Sequence, residues 1–518
     1  MESELSRRDF LKLIALLPFL KISWDALSNH AVNIQSTDSP NVLMIVFDAL
    51  SATNVSLYGY QRLTTPNFAR FAEKSTVFNR HYSSGNFTSP GTASLLTGTY
   101  PWTHRAFHLY GTIVRELTQN NLFSAFPGDQ YTRISYSHND LAASLLYQFR
   151  KDIDFLTKSK DLELFNESLL AEGVFSRDRN AAFLGERMLV RGERGADLQL
   201  PSSLFLSMLH QLWRTNEKTD LSRQYRKSFP LGLPSTNGTP FFFLLEDAID
   251  WVMNQIGSSM RPYLGYFHFF PPHEPYNTRV EFIDRFKDGM VPLAKPAHFF
   301  TQGFTEKTIR KQRREYDEYI AYVDSEFGRL YDFLEQHDLM KNTCVVLTSD
   351  HGEMFERGIV EHNTPTLFEP VIHVPLVIHR PGQNERVDVN TTTNSVDILP
   401  TLTHMMGLPN PDWSEGVVLP GFSDVEIKAD RSIYCVEAKT NPKNAPLKKV
   451  TVALIKDNYK LIFYSGYKGY TGVYEMYNLA EDPDEMNNIY SEDNSTAIDI
   501  KNELQVKLNQ VNQPYLPK

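Results

Sequence analysis

Apolar positions in this chain cluster into short unbroken runs bounded by turn residues, the pattern of strands buried on both faces. Asn41–Phe47 is the first such run, and Asp48 closes it. Tyr263–Phe270 is the second and runs into Pro271-Pro272-His273-Glu274-Pro275-Tyr276. Thr343–Ser349 is the third, followed by Asp350-His351-Gly352-Glu353. A further strand is expected over Val371–Ile378, ahead of Pro381-Gly382. Polar groups at the C-terminal ends of such strands stand where open α/β sheets hold their ligands. Each has a plainer reading as well: Asp48 as a turn cap, His273 as a structural histidine, Asp350-His351 as a charged turn.

Elsewhere the period changes. Phe68–Lys74 reads as a short amphipathic helix. Tyr316, Ile320, Val323, Phe327 and Leu330 recur at helical spacing and predict a long helix over Thr305–His337. Ser395-Val396-Asp397 opens another, with Ser395 or Asp397 in the capping region. From about residue 411 alternating runs dominate, at Ile433–Ala438, Val450–Ile455, Tyr459–Tyr464 and Val473–Tyr477. They predict a small antiparallel sheet, with a last helix over Thr496–Val511. Residues 150–260 read as a mostly helical insertion that shapes substrate access.

Ser84–Gly98 reads as a turn feeding a helix start. Pro90 suits the first helical turn, Gly91 and Thr92 are small enough for close approach, and Gly98 suits the stop. The hydroxyl of Thr88 would then lie over the positive end of the helix, where anions are stabilised. By itself Thr-Ser-Pro-Gly also describes an ordinary capped turn. His104, in the loop after this helix, is expected at the surface.

Length and charge narrow the classes. With 518 residues the chain exceeds one simple core. Its net charge of −10 argues against non-specific nucleic-acid binding. Cys344 and Cys435 each sit in a strand-like run and read as buried small side chains. Ser6-Arg7-Arg8-Asp9-Phe10-Leu11-Lys12 precedes the apolar run Leu13–Leu20, too short to span a bilayer. This resembles a twin-arginine export signal over residues 1–36, with cleavage expected between Ala26 and Ser36. An exported, periplasmic or extracellular protein without an integral membrane span after signal removal is the expectation.

The ordered set is specific where its members are not. Asp48 at a strand end precedes Thr-Ser-Pro-Gly-Thr-Ala-Ser-Leu-Leu-Thr-Gly, Pro-Pro-His-Glu-Pro-Tyr, Thr-Ser-Asp-His-Gly-Glu, Val-Pro-Leu-Val-Ile and Val-Asp-Ile-Leu-Pro-Thr. It resembles the sulfatase family of the alkaline-phosphatase superfamily over about residues 40–410. Tyr477-Asn478-Leu479-Ala480-Glu481-Asp482-Pro483 resembles that family's C-terminal subdomain. The resemblance implies an α/β, alkaline-phosphatase-like sandwich, its central, mostly parallel sheet flanked by helices. Its catalytic domain is expected at 37–410 and a small antiparallel-sheet subdomain at 411–518. It further implies one divalent cation on Asp48, Asp350 and His351, touched by the nucleophile Thr88. His273 and His362 match positions that contact the substrate's anionic group or leaving oxygen.

Two departures shift the expected chemistry. Family sulfatases carry Cys or Ser, matured to formylglycine, in the pattern Cys/Ser-x-Pro-x-Arg. Here Thr88 takes the first position and Thr92 the place of the arginine, which Arg105 is a candidate to replace. Threonine cannot become formylglycine and resembles the nucleophile of the superfamily's phosphatases, phosphodiesterases and headgroup transferases. A hydrolase of phosphate, phosphonate or sulfate esters is expected, working through a covalent intermediate and drawing on Ca2+, Mg2+, Mn2+ or Zn2+. Its substrate would be a small-molecule, glycan or lipid ester bearing an anionic group. A phosphoethanolamine- or phosphoglycerol-type transferase and a non-catalytic binding protein of the same fold are the alternatives. Oligomeric state is not legible.

Overall fold

The computed structural model describes residues 39–164, 219–236, 242–259, 262–423 and 431–516. Among the described residues, those within 39–163 and 226–516 form one compact unit, and residues 164 and 219–225 fall outside it. Residues 219–225 are helical. The export segment and most of the expected insertion, residues 165–218, lie outside the described residues.

The central sheet comprises β1 (Asn41–Phe47), β2 (Thr76–Phe78), β3 (Thr132–Ser137), β4 (Phe155–Leu156), β5 (Tyr263–Phe269), β6 (Thr343–Thr348), β7 (Leu376–His379) and β8 (Val387–Val389). Their order is β8-β2-β7-β6-β1-β5-β3-β4. β1 lies parallel between β5 and β6, and β3 is parallel to β5 and β4. β7 runs antiparallel to β6 and β2. Helices α1 (Pro66–Ala72), α2 (Thr88–Thr97), α3 (Asp140–Gln148), α4 (Leu245–Gly257), α5 (Glu306–Gln336) and α6 (Ile398–Met405) flank the sheet.

The unbroken apolar run of β1 follows from cover on both faces. Val42, Met44 and Val46 join one core with Leu95 and Leu96 of α2, Leu145 of α3 and Leu399 of α6. Phe47 faces the opposite layer, stacked on Phe68 of α1 at 6.1 Å, and Phe68 meets Phe327 of α5 edge-on at 5.1 Å. α5 runs 31 residues, and the Thr305 side chain caps it by accepting the Thr308 N–H. α2 is buried along its whole length and ends at Gly98, whose φ of 66° lets its N–H reach the Ser94 carbonyl.

The second subdomain is an antiparallel sheet of β9 (Ile433–Glu437), β10 (Val450–Lys456), β11 (Tyr459–Ser465) and β12 (Val473–Asn478). α7 (Ser495–Asn512) covers one face through Ala497 and Leu504. The other face packs Cys435, Ala453 and Ile462 against Phe368 and Val371. Cys344 and Cys435 are buried and free.

One local expectation needs correction. Val371–Ile378 is not one strand: Glu369–Ile372 makes a helical turn with Pro370 in its first positions, and β7 starts only at Leu376, after Pro375. Asp397 stands at the N-cap of α6, as expected, and its side chain accepts the Asn394 N–H while Asn394 accepts the Val396 N–H, a capping box around the turn Ser395–Asp397.

Candidate active site

Four parallel strands end at one place. Asp48 follows β1, Asn139 follows β3 and starts α3, His268 is the penultimate residue of β5, and Asp350 and His351 follow β6. Asp48, Asp350 and His351 are fully buried and offer ligand atoms within 4.8 Å of one another. Thr88, the first residue of α2, brings its Oγ1 to 3.4 Å from His351 Nε2 and accepts a hydrogen bond from Asn139 Nδ2 at 3.2 Å. Close packing makes this possible: a Cβ on Gly91 would lie 2.1 Å from the Asp350 carbonyl oxygen.

The donor set fits a divalent cation. The Gly352 carbonyl lies 3.0 Å from His351 Nδ1 and accepts a hydrogen bond from its N–H, which keeps the proton on Nδ1. A neutral His351 then turns the lone pair of Nε2 toward Asp48 Oδ1, 3.2 Å away. Two lone pairs at that distance need a positive charge between them, either a proton or a metal ion. Burial opposes charge on His351, but Asp350 and Asp48 outweigh it and lift the imidazole to about 9. Burial pushes Asp48 up, yet hydrogen bonds with His268 and His351 hold it well below the usual carboxylate range. Asp350 moves the other way, raised by burial and by Asp48. Two carboxylates, an imidazole and a hydroxyl form a hard, mixed O/N site.

His273 and His362 line a cavity of about 270 Å3 that Thr88 also lines. Their rings are 4.8 Å apart, and His362 lies 4.3 Å from His351. The candidate residues Asp48, Thr88, His273, Asp350, His351 and His362 are thus neighbours in space.

Two secondary expectations fail. His104 is buried, not exposed: its Nδ1 accepts the Ala106 N–H and its Nε2 lies 3.1 Å from Ser94 Oγ, which ties it to α2. Burial drops its pKa to about 3, so it is neutral. Arg105 does not replace the missing arginine. It donates to the carbonyls of Lys443 and Ala445 and lies over the Tyr515 ring. Thr92 itself is part of the site and donates to Asp350 Oδ2 at 3.2 Å.

Sequence reasoning missed His268 and Asn139. His268 Nε2 lies 3.3 Å from Asp48 Oδ2, and its Nδ1 lies 3.2 Å from the Tyr266 hydroxyl. Asn139 caps α3 through Oδ1 and donates Nδ2 to both Asp48 and Thr88. The available signals were a polar residue near the end of an apolar strand and an N-cap at another strand's end.

Comparison with known proteins gives a consistent result. The family model described as Sulfatase matches residues 40–408, and one described as N-sulphoglucosamine sulphohydrolase, C-terminal, matches residues 361–514. The chain is 23% identical over 485 residues to the uncharacterized sulfatase YidJ of Escherichia coli (strain K12), covering 87% of this chain and 83% of that one. It is 23% identical over 477 residues to the choline-sulfatase of Rhizobium meliloti (strain 1021), with coverages of 88% and 83%. The phosphonate monoester hydrolase of Agrobacterium radiobacter shares the fold, with a TM-score of 0.64, 18% identity and coverages of 92% and 96%.

Proposed function

The chain belongs to the sulfatase family, and from that premise we propose that it is a metal-dependent hydrolase of phosphate, phosphonate or sulfate esters with Thr88 as its nucleophile. One observation carries the reading: a hydroxyl at a buried helix start touches His351, is oriented by Asn139 and opens into the cavity. Asp48, Asp350 and His351 would hold the cation, which supplies charge neutralisation and makes a nearby hydroxyl easier to deprotonate.

The chain's own residues do the rest. Thr88 Oγ1 attacks phosphorus or sulfur, and the bond to the leaving oxygen breaks in line with it. The attacked group is then an ester of Thr88, which water releases. Asn139 fixes the direction of attack by its hydrogen bond to Oγ1. His273 and His362 serve the oxygens on the far side and the leaving group.

A threonine ester has no second hydroxyl from which to expel its group, so release needs attack at the central atom. Phosphorus accepts that more readily than a sulfate monoester does, which favours phosphoester or phosphonate substrates. The choline-sulfatase relative supports the sulfate reading. The protein is proposed to act after export, directed by the arginine pair at Arg7 and Arg8.

The test is a screen of the purified protein on aryl sulfate, phosphate monoester, phosphodiester and phosphonate monoester, each with several divalent metals. Peptide mapping after quenching in turnover should find the transferred group on Thr88. Adding acceptor alcohols separates hydrolysis from headgroup transfer, because a transferase would make the new ester. Mapping the group onto another residue would remove Thr88 from the reaction.

A further inference from the structure

We propose that His273, Glu274 and His362 hold a second divalent cation, so that the cavity contains a two-ion centre. This deepens the proposed reaction at the same site and rests on it, since the ion is the means by which the histidine pair meets the substrate's oxygens.

The three side chains offer ligand atoms within 4.8 Å of one another. His273 and His362 are buried, and Glu274 is half-buried. Ring orientation is set by what each Nδ1 touches. His273 Nδ1 is 2.9 Å from the Glu274 carbonyl oxygen, and His362 Nδ1 is 3.2 Å from Glu353 Oε1. With its Nδ1 proton donated to that carbonyl, His273 keeps the lone pair of Nε2 free for a ligand. An imidazole tied back in this way to a carbonyl or carboxylate is the usual arrangement of a metal-ligating histidine. In that tautomer His273 Nε2 offers a lone pair, which a cation would join to an anionic oxygen of the substrate.

Charge points the same way. Asp140, Glu274 and Glu361 line the cavity, and Lys439 is the one Lys or Arg among its described lining residues. Lys439 Nζ already donates to Asn363 Oδ1 at 2.7 Å. Glu353, Asp48 and Asp350 are buried close behind. Thr92, where family sulfatases carry arginine, removes a further positive charge. Two imidazoles and one carboxylate suit Zn2+ or Mn2+ better than Ca2+, and three protein ligands leave a position open to a substrate oxygen. Paired ions roughly 4 Å apart bracket the attacking and leaving oxygens of an in-line displacement.

The experiment is metal stoichiometry. The full chain is stripped with chelator, then titrated with Zn2+ and, separately, Mn2+ by calorimetry, and its bound metal is counted by elemental mass spectrometry. Two ions per chain are expected. H273A/H362A should bind one, D48N/D350N should also bind one, and E274Q should weaken one of the two steps about 10-fold or more. A wild-type chain that takes one ion overturns the proposal, as does an H273A/H362A chain that keeps two. If that variant does not fold, judged by circular dichroism, the wild-type count and the E274Q titration decide. A single ion lost in D48N/D350N and kept in H273A/H362A would sink the second site and leave the proposed reaction standing. No ion at either site would sink both.

Discussion

Thr92 shows what one side chain does to this site. Its hydroxyl donates to Asp350 Oδ2 inside a fully buried pair of acids. Thr92→Val keeps the shape and removes the donor, leaving a buried carboxylate oxygen short of a partner at a cost of about 1–3 kcal/mol. We expect metal affinity to fall about 10-fold or more, read by calorimetry, with little change in secondary structure. Gly91→Ala tests geometry instead of charge. The added Cβ would meet the Asp350 carbonyl at 2.1 Å, so α2 must shift away from β6. The expected result is a lower melting temperature together with lost turnover; an unchanged protein would mean that the contact between α2 and Asp350 is looser than described. At this scale the sequence was legible where chemistry is local. Asp48 and Asp350-His351 announce themselves at the ends of apolar runs. His268 does not, because it lies within one such run and is bracketed by phenylalanines.

Whole elements meet through buried charge. Asp324, on α5, accepts the backbone N–H groups of Asn67 and Phe68 at 3.0 and 2.9 Å and so caps α1 from outside. Asp324→Ala should cost about 1–3 kcal/mol of stability, measured by denaturant unfolding, with the metal ligands untouched. On β11, fully buried Lys460 bridges Glu369 at 2.8 Å and Glu485 at 2.5 Å. Burial raises Glu485 from 4.5 to about 7, against the pull of Lys460. A carboxyl with a folded pKa above its unfolded one holds a proton that the unfolded chain has already lost. Its contribution is therefore fully present below pH 4.5 and is lost as pH rises through about 7. Melting temperature should fall between about pH 4.5 and pH 7, and Glu485→Gln should flatten that slope. A steeper slope in the variant would contradict the assignment. Element limits were readable wherever one period ran long, as in α5. They failed at Val371–Ile378, where an apolar run hid a helical turn and Pro375 broke it.

At the scale of the molecule, function comes from strand order. β1 sits between β5 and β6, so Asp48, His268 and Asp350 become neighbours although hundreds of residues separate the first from the last. Sequence shows each strand end but not which ends adjoin; resemblance to a known family supplied that order. His273, soon after β5, lines the same cavity as Thr88 and His362, and Lys439, soon after β9, lines it as well. Export belongs to this scale too: with Arg7 and Arg8 both changed to lysine, the full-length protein should stay in the cytoplasm on cell fractionation, and unchanged export would refute the twin-arginine reading. The central claim, that a threonine oxygen is the attacking group, is tested most directly by the turnover of Thr88→Ala protein whose metal content has been verified. The account predicts a loss of about 1,000-fold or more with the metal still bound. A metal-loaded Thr88→Ala enzyme working within about tenfold of wild type would contradict it.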